Sequence, residues 1–214
     1  MSEHLKLRPG SRLVLATHNK GKLAEFEELF APFDIEVISA GDLGLPEPEE
    51  TGTTFIENAR IKAHAAARAS GMLALADDSG LCVDALNGEP GVYTADWAGP
   101  KRDFSIGMRR VEDRLQAVGA IDPAERKGSF NATLCLAHPD GSDVIFAGKV
   151  SGTLVWPPRG TIGFGFDPVF MPEGFDITFG EMPSAQKHSW SPGKVGLSHR
   201  AKAFAQFVEG AIVQ

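Results

Sequence analysis

FNATLCLAHPDGSDVIFAGKVSGTLVW, residues 130–156, holds two alternating apolar runs joined by Pro139-Asp140-Gly141-Ser142. Alternation with period two marks a strand with one buried face, and a turn of Pro, Asp, Gly and Ser between two such runs is a hairpin signal. A hairpin makes its strands antiparallel, so a sheet that contains them is not purely parallel. Upstream the pattern is different. RLVLAT (12–17) reads as a buried strand, KGKLAEFEELFAPF puts Leu23, Phe26, Leu29 and Phe30 on one helical face, and IEVIS (35–39) reads as the next strand. Strands that alternate with helices belong to parallel units, so the expectation is an α/β protein: a mixed β-sheet with helices packed on it.

The remaining segments extend this reading. Thr54 and Glu57 fit a reciprocal helix cap, the alanine-rich run to Ser70 stops at Gly71, and Phe104, Met108, Val111, Leu115 and Val118 mark a second long amphipathic helix. A last helix is expected from about Ser198 to Val213, whereas the stretch from PPRGTIGFGFDPVF to Leu197 shows no regular period. One domain is expected over residues 1–214. With 28 acidic and 21 basic side chains the net charge is −7, which argues against gripping a nucleic-acid polymer and leaves free nucleotides as candidate ligands. No run approaches the roughly 20 apolar residues of a membrane span. The opening MSEHLKLRPGSR lacks the apolar core of a secretory signal, and Cys82 and Cys135 read as buried free thiols, so a cytoplasmic location is expected.

Chemistry concentrates in six places. LALADDSGLCVDALNG (73–88) reads as a strand that ends in Asp77 and Asp78, two like charges that need a compensating partner. Neighbours on a strand point to opposite faces, so the two carboxylates have different tasks, one in a cleft and one tied to backbone or a basic group. GDLGLPEPEETG (41–52) adds Glu47, Glu49 and Glu50. Magnesium takes one or two protein carboxylates and completes its octahedron with phosphate oxygens and water, so Glu50 and Asp78 would suffice; the same acids also read as a solvated loop and a capped strand end. THNKGK (17–22) combines a helix start with Lys20 and Lys22 and suits a phosphate without being a P-loop, and it equally reads as a solvated turn. Asn58 and Lys62 share a helical face, where Lys62 is either a phosphate contact or a solvated lysine. GFGFD (163–167) suits stacking on a base and bonding its edge, and Ser198-His199-Arg200 opens a helix with cations where an anionic or carbonyl ligand would relieve them. No GxSxG elbow surrounds Ser79, which sets serine hydrolysis aside, and the other histidines form no metal-ligand spacing.

LATHNKGKLAEFEELF, EETGTTFIENARIKAHAAA, ALADDSGLCVDALNGEPGVYTADWAG and the ordered set GFGFDPVF, EMPSAQK and LSHRAKAF, running from about residue 12 to residue 208, together resemble the inosine triphosphate pyrophosphatases, also described as dITP/XTP pyrophosphatases. The resemblance implies an elongated mixed sheet, two lobes with a deep nucleotide-binding cleft, a homodimer, and magnesium-dependent hydrolysis of ITP, dITP and XTP to monophosphate and pyrophosphate. It assigns triphosphate binding to Thr17, His18, Asn19, Lys20, Gly21 and Lys22 with Lys62. Magnesium falls to Glu50 and Asp78, activation of water to Asp78, and a substrate contact to Ser79. Phe164, Gly165, Phe166, Asp167, His199 and Arg200 would cradle the base, and Asp77 is left structural. One departure concerns the lysine before the SHR element: Gln186-Lys187 is followed by the longer spacer HSWSPGKVGL, which contains Lys194. The match of EMPSAQK selects Lys187 as the substrate contact.

Overall fold

Strands β1 (Ser11–Leu15), β2 (Ile35–Ser39), β3 (Ala74–Val83), β4 (Lys127–Ala137), β5 (Asp143–Leu154) and β6 (Phe170–Pro172) form one sheet in the order β2-β1-β3-β4-β5-β6. The structure is a computed structural model that describes residues 3–213. β1 runs parallel to β2 and β3, while the pairs β3-β4, β4-β5 and β5-β6 are antiparallel, which makes the sheet mixed. The β4-β5 hairpin pairs without interruption from Lys127↔Thr153 to Ala137↔Asp143, and its turn is closed by His138 N–H donating to Ser142 O at 2.9 Å.

Helices α1 (Lys20–Phe30), α2 (Phe55–Ser70), α3 (Phe104–Ala117), α4 (Ser184–His188) and α5 (His199–Ala211) cover this sheet. α2 begins with the expected reciprocal cap of Thr54 and Glu57 and ends on left-handed Gly71 at φ 69°. Its inner face is Ala59, Ala63, Ala66 and Ala67, and side chains this short let the helix lie close over Ala74, Ala76 and Cys135. On the opposite face, Phe26, Leu29 and Phe30 of α1 and Phe204 and Phe207 of α5 pack against Leu13, Leu15 and Leu134. β3, β4 and β5 run on beyond the short parallel strands, and their far end holds a separate core that includes Leu81, Trp97, Val111, Leu115, Phe170 and Phe179. Two apolar cores on one long sheet give the molecule two lobes, and the cleft opens between them where β1 ends and β3 continues. Among the described residues no helix is long and apolar enough to cross a membrane.

The elements depart from the sequence reading in four places. β3 does not stop at the two aspartates: it continues to Val83, with Asp77 opposite Leu134 and Asp78 opposite Thr133. Cations from other elements neutralise both carboxylates, so the ladder need not break there. Val118 lies outside the apolar face of α3 and is 56% exposed. The stretch before Leu197 contains α4 and a small hairpin of β7 (Trp190–Ser191) and β8 (Lys194–Val195), elements of two to five residues that are too short to show a period. Cys135 is buried, and burial pushes its thiol up to about 12, whereas Cys82 is only half-buried.

Candidate active site

The site grows from the alternation of β3. On one face Asp77 is buried and accepts from Lys22 Nζ of α1 and from Arg200 Nη2 of α5, each at 2.9 Å, and from Ser79 Oγ at 3.2 Å. Burial alone would raise its carboxyl; Arg200 and Lys22 overcome that and hold it well below the usual carboxylate range. Arg200 is 1% exposed and also pairs with Glu25 of α1 and donates to Ser79 Oγ at 3.0 Å. The cation at the start of α5 is therefore matched by Asp77 and Glu25, not left for a ligand to compensate. Burial lowers Lys22, which reaches the same place and donates to Asp77 O at 3.2 Å as well.

On the other face Asp78 Oδ1 accepts from Lys62 Nζ of α2 at 2.8 Å, and the same ammonium lies 3.2 Å from Glu50 Oε2. The acidic loop and the middle of β3 thus converge on one point. Burial pushes the Asp78 carboxyl up to about 6 against the pull of Lys62. Burial would lower Lys62, yet Asp78 and Glu50 raise it, so the ammonium stays charged. Asp78 Oδ2 is buried with no hydrogen-bond partner, as is Asp77 Oδ1 on the opposite face. A buried carboxylate oxygen without a donor is costly and is an open ligand position. Among the described residues no group of three or more His, Cys, Asp or Glu side chains is arranged to hold a metal. The donor set is thus two carboxylates, hard oxygen ligands that fit magnesium provided substrate and water supply the rest.

The expected phosphate turn borders this point at the C-terminal end of β1. Asn19 caps α1, its Oδ1 accepting from Gly21 N–H at 2.9 Å and Lys22 N–H at 3.1 Å. Two of the backbone donors offered to a phosphate are therefore already taken, which leaves more of that work to side chains. The exposed His18 bonds Leu45 O at 3.1 Å and ties the turn to the acidic loop. Thr17, His18, Asn19 and Lys22 line the main cleft with Glu50, Lys62, Asp78 and Ser79, while Lys20 and Gly21 line an adjoining annex. Asn58 is structural, its Oδ1 accepting from Gly52 N–H at 2.8 Å.

Across the cleft mouth from this turn the two aromatics of GFGFD part company. Phe166 is 1% exposed and packs edge-on against Phe104, whereas Phe164 stands at the rim over Gly21. Gly163 has φ 91°, and a Cβ there would fall on Asp167 Oδ2 and Lys187 Nζ. Gly165, Asp167 and His199 line the cleft, with His199 stacked at 18° on Phe130. Burial and Arg200 keep the His199 ring neutral, and its Nδ1 is buried without a partner. Lys187 is fully buried behind the lining; its ammonium donates to Asp167 Oδ2 and Phe179 O, each at 2.9 Å, and to Ile162 O at 3.4 Å. Burial lifts Asp167 to about 6 against that ammonium. Lys194 stands on the exposed β7-β8 hairpin. The long spacer folds back on itself, Gly196 N–H donating to Ser189 O at 2.7 Å and Ser198 N–H to Lys187 O at 2.9 Å, so α5 starts beside α4 despite the extra residues.

Sequence reasoning missed Glu25, His188, Phe130 and Phe179, all of which line the cleft. Glu25 left one signal: it lies a turn after Lys22 and a turn before Leu29, a carboxylate within an inward face. Its contact with His188 at 3.5 Å is to a neutral ring, since burial drives that imidazole down to about 3. Phe130 and Phe179 look like any other core residue.

A mixed sheet whose parallel strands end at a cleft walled by a lysine-bearing turn and floored by two converging carboxylates is the arrangement of a nucleotide hydrolase. The chain belongs to the Ham1 family, whose model matches residues 13–210. It is 58% identical to the dITP/XTP pyrophosphatase of Mesorhizobium japonicum over 95% of this chain and 94% of that protein. It is 59% identical to the dITP/XTP pyrophosphatase of Rhodopseudomonas palustris over 92% and 94% of the two. A solved HAM1 protein from Coxiella burnetii superposes with a TM-score of 0.80 at 35% identity, covering 93% of this chain and 97% of that one. The Ham1 protein of Staphylococcus aureus gives 0.78 at 34% identity, over 94% and 99%.

Proposed function

We propose that this protein hydrolyses the non-standard purine nucleoside triphosphates dITP, XTP and ITP to monophosphate and pyrophosphate, removing them from the free nucleotide pool. The dITP/XTP pyrophosphatases among its relatives support this reading, and the observation that carries it is the convergence of Glu50 and Asp78 on Lys62 beside the 17–22 turn.

Glu50 and Asp78 would hold magnesium, which when bound supplies positive charge to the polyphosphate oxygens and favours ionisation of water. The chain's own groups do the rest. Lys62 and the lysines of the 17–22 turn hold the triphosphate so that a water lies in line with the bond between the α phosphorus and the leaving pyrophosphate. Asp78 takes the water proton at its unpartnered Oδ2, a carboxyl whose burial favours taking up a proton. Water oxygen bonds to the α phosphorus as the bridging oxygen departs with the pyrophosphate. Ser79 contacts the substrate beside this point. Phe164 covers the base, and Gly165, Phe166, Asp167, His199 and Arg200 shape its pocket. Lys187 acts on the base through Asp167. A homodimer, a single cooperative domain over residues 1–214 and a cytoplasmic location belong to the same proposal.

The test is a pyrophosphate-release assay on dITP, XTP, dATP and dGTP with and without chelator. Pyrophosphate from dITP and XTP, abolished by chelator and weak with dATP and dGTP, is expected. Orthophosphate as first product, or dATP turned over as fast as dITP, contradicts the proposal.

A further inference from the structure

The charges at the floor of the cleft do not favour a polyphosphate. Lys22, Lys62 and Arg200 each hold a carboxylate, and these three cations face four acids, Asp77, Asp78, Glu50 and Glu25. Even a divalent cation leaves little net positive charge for a triphosphate of about four negative charges, so the remainder must come from the rim. Lys20 is one exposed rim cation. Arg102 is another: it lines both the main cleft and the annex, which it shares with His18, Asn19, Lys20, Glu47, Phe104 and Phe164, and among the described residues its guanidinium holds no carboxylate, Glu47 included.

Its backbone adds a second, independent observation. Arg102 closes a turn in which its N–H donates to Gly99 O at 2.9 Å, directly before Asp103 caps α3 by accepting from Ser105 N–H at 3.0 Å. Its φ is 51°, the left-handed region. Gly99 in the same turn, at φ 74°, is a residue that tolerates such a backbone freely, whereas a non-glycine there costs roughly 1–2 kcal/mol. Strain of this kind clusters at ligand clamps. Here it holds a five-donor fork at the mouth of a cleft built for phosphate.

We propose that Arg102 is a substrate-binding residue that meets the terminal phosphates of the triphosphate from the lobe opposite the 17–22 turn. This rests on the pyrophosphatase reading, and it adds a contact that lies three residues beyond the ADDSG to DWAG stretch. The guanidinium binds two phosphate oxygens side by side, which a lysine at the same place cannot do.

The experiment measures dITP turnover, and by calorimetry the binding of inorganic tripolyphosphate and of IMP, for the wild type, Arg102→Ala, Arg102→Lys, Arg102→Gly and, as control, Lys101→Ala. Arg102→Ala is expected to raise KM for dITP and weaken tripolyphosphate about tenfold, with kcat within about twofold and IMP binding unchanged. Arg102→Lys recovers part of the loss and Lys101→Ala changes nothing. Arg102→Gly, which relieves the backbone, shows the same loss while melting no lower than the wild type. Unchanged tripolyphosphate binding, an equal loss for IMP, or a loss that follows a fall in melting temperature overturns the proposal. A wild type that releases no pyrophosphate from dITP would defeat the pyrophosphatase reading alone, because the tripolyphosphate measurement still decides whether Arg102 grips a polyphosphate.

Discussion

The two faces of β3 treat adjacent aspartates in opposite ways. Asp77 is enclosed by Lys22, Arg200 and Ser79, and its carboxyl is held below the ordinary range. Asp78, one residue on, has the Lys62 ammonium alone within hydrogen-bond distance, and burial lifts it to about 6; each carboxylate keeps one oxygen without a partner, Asp77 Oδ1 and Asp78 Oδ2. Two identical side chains about 3.8 Å apart along the chain, the Cα spacing of a trans peptide, thus meet opposite electrostatic surroundings, which suit the proposed roles of anchor and base. The difference lies in what each face packs against: α1 and α5 bring two cations to Asp77, whereas α2 brings one lysine to Asp78.

Substitutions at the two positions should separate accordingly. Asp78→Asn is expected to cut pyrophosphate release from dITP by 10²-fold or more, about 2.7 kcal/mol of barrier, while melting no lower than the wild type. The sign supports this: a carboxyl raised in the folded state stabilises only below its unfolded value near 3.8, and that contribution is lost as pH rises through about 6, so at pH 7 an amide removes a liability. A melting temperature many degrees lower would place Asp78 with the anchors. Asp77→Asn should instead cost about 2.5 kcal/mol of stability by leaving Arg200 and Lys22 short of charge. Its carboxyl is depressed in the folded state, so the stability it confers is present above pH 4 and is lost as pH falls further; the gap between variant and wild type in denaturant should close there. An undiminished gap in acid would mean that the ion pairs are not its source.

Lys187→Met sharpens the same contrast at the base end. It strands Asp167 in a buried site and removes the tie to Phe179 and Ile162, for about 2 kcal/mol at neutral pH. Because Asp167 sits near 6 it can take up a proton, so the loss should shrink at pH 5. A rise in KM for dITP with no loss of stability would instead make Lys187 a direct substrate contact. The mildest effect is on the wild type: its apparent affinity for magnesium should fall about tenfold from pH 7 to pH 5, with a limb centred near the 6 of the metal-free Asp78. A flat profile over that range would remove Asp78 as a magnesium ligand.

Much of this architecture was readable from local rules. The hairpin follows from its turn residues, the start and stop of α2 from Thr54, Glu57 and Gly71, and the division of labour between Asp77 and Asp78 from the two-residue period of a strand. What was not readable depends on partners distant in sequence. β3 appeared to end at its acids because the cations that let it continue come from Lys22, Lys62 and Arg200. Phe164 and Phe166 looked equivalent, yet Gly107 of α3 leaves the space that takes Phe166 inside. Lys187 and Lys194 could be ranked only by motif, until the hairpin showed how the extra residues loop out. The left-handed backbone at Arg102 has no sequence signal at all.

The most direct measurement is a crystal structure with magnesium and a non-hydrolysable dITP analogue. The account predicts a cation about 2.1 Å from an oxygen of both Asp78 and Glu50, with the Lys62 ammonium turned onto a phosphate oxygen. A cation bound away from both carboxylates, with Lys62 still bridging them, would contradict it.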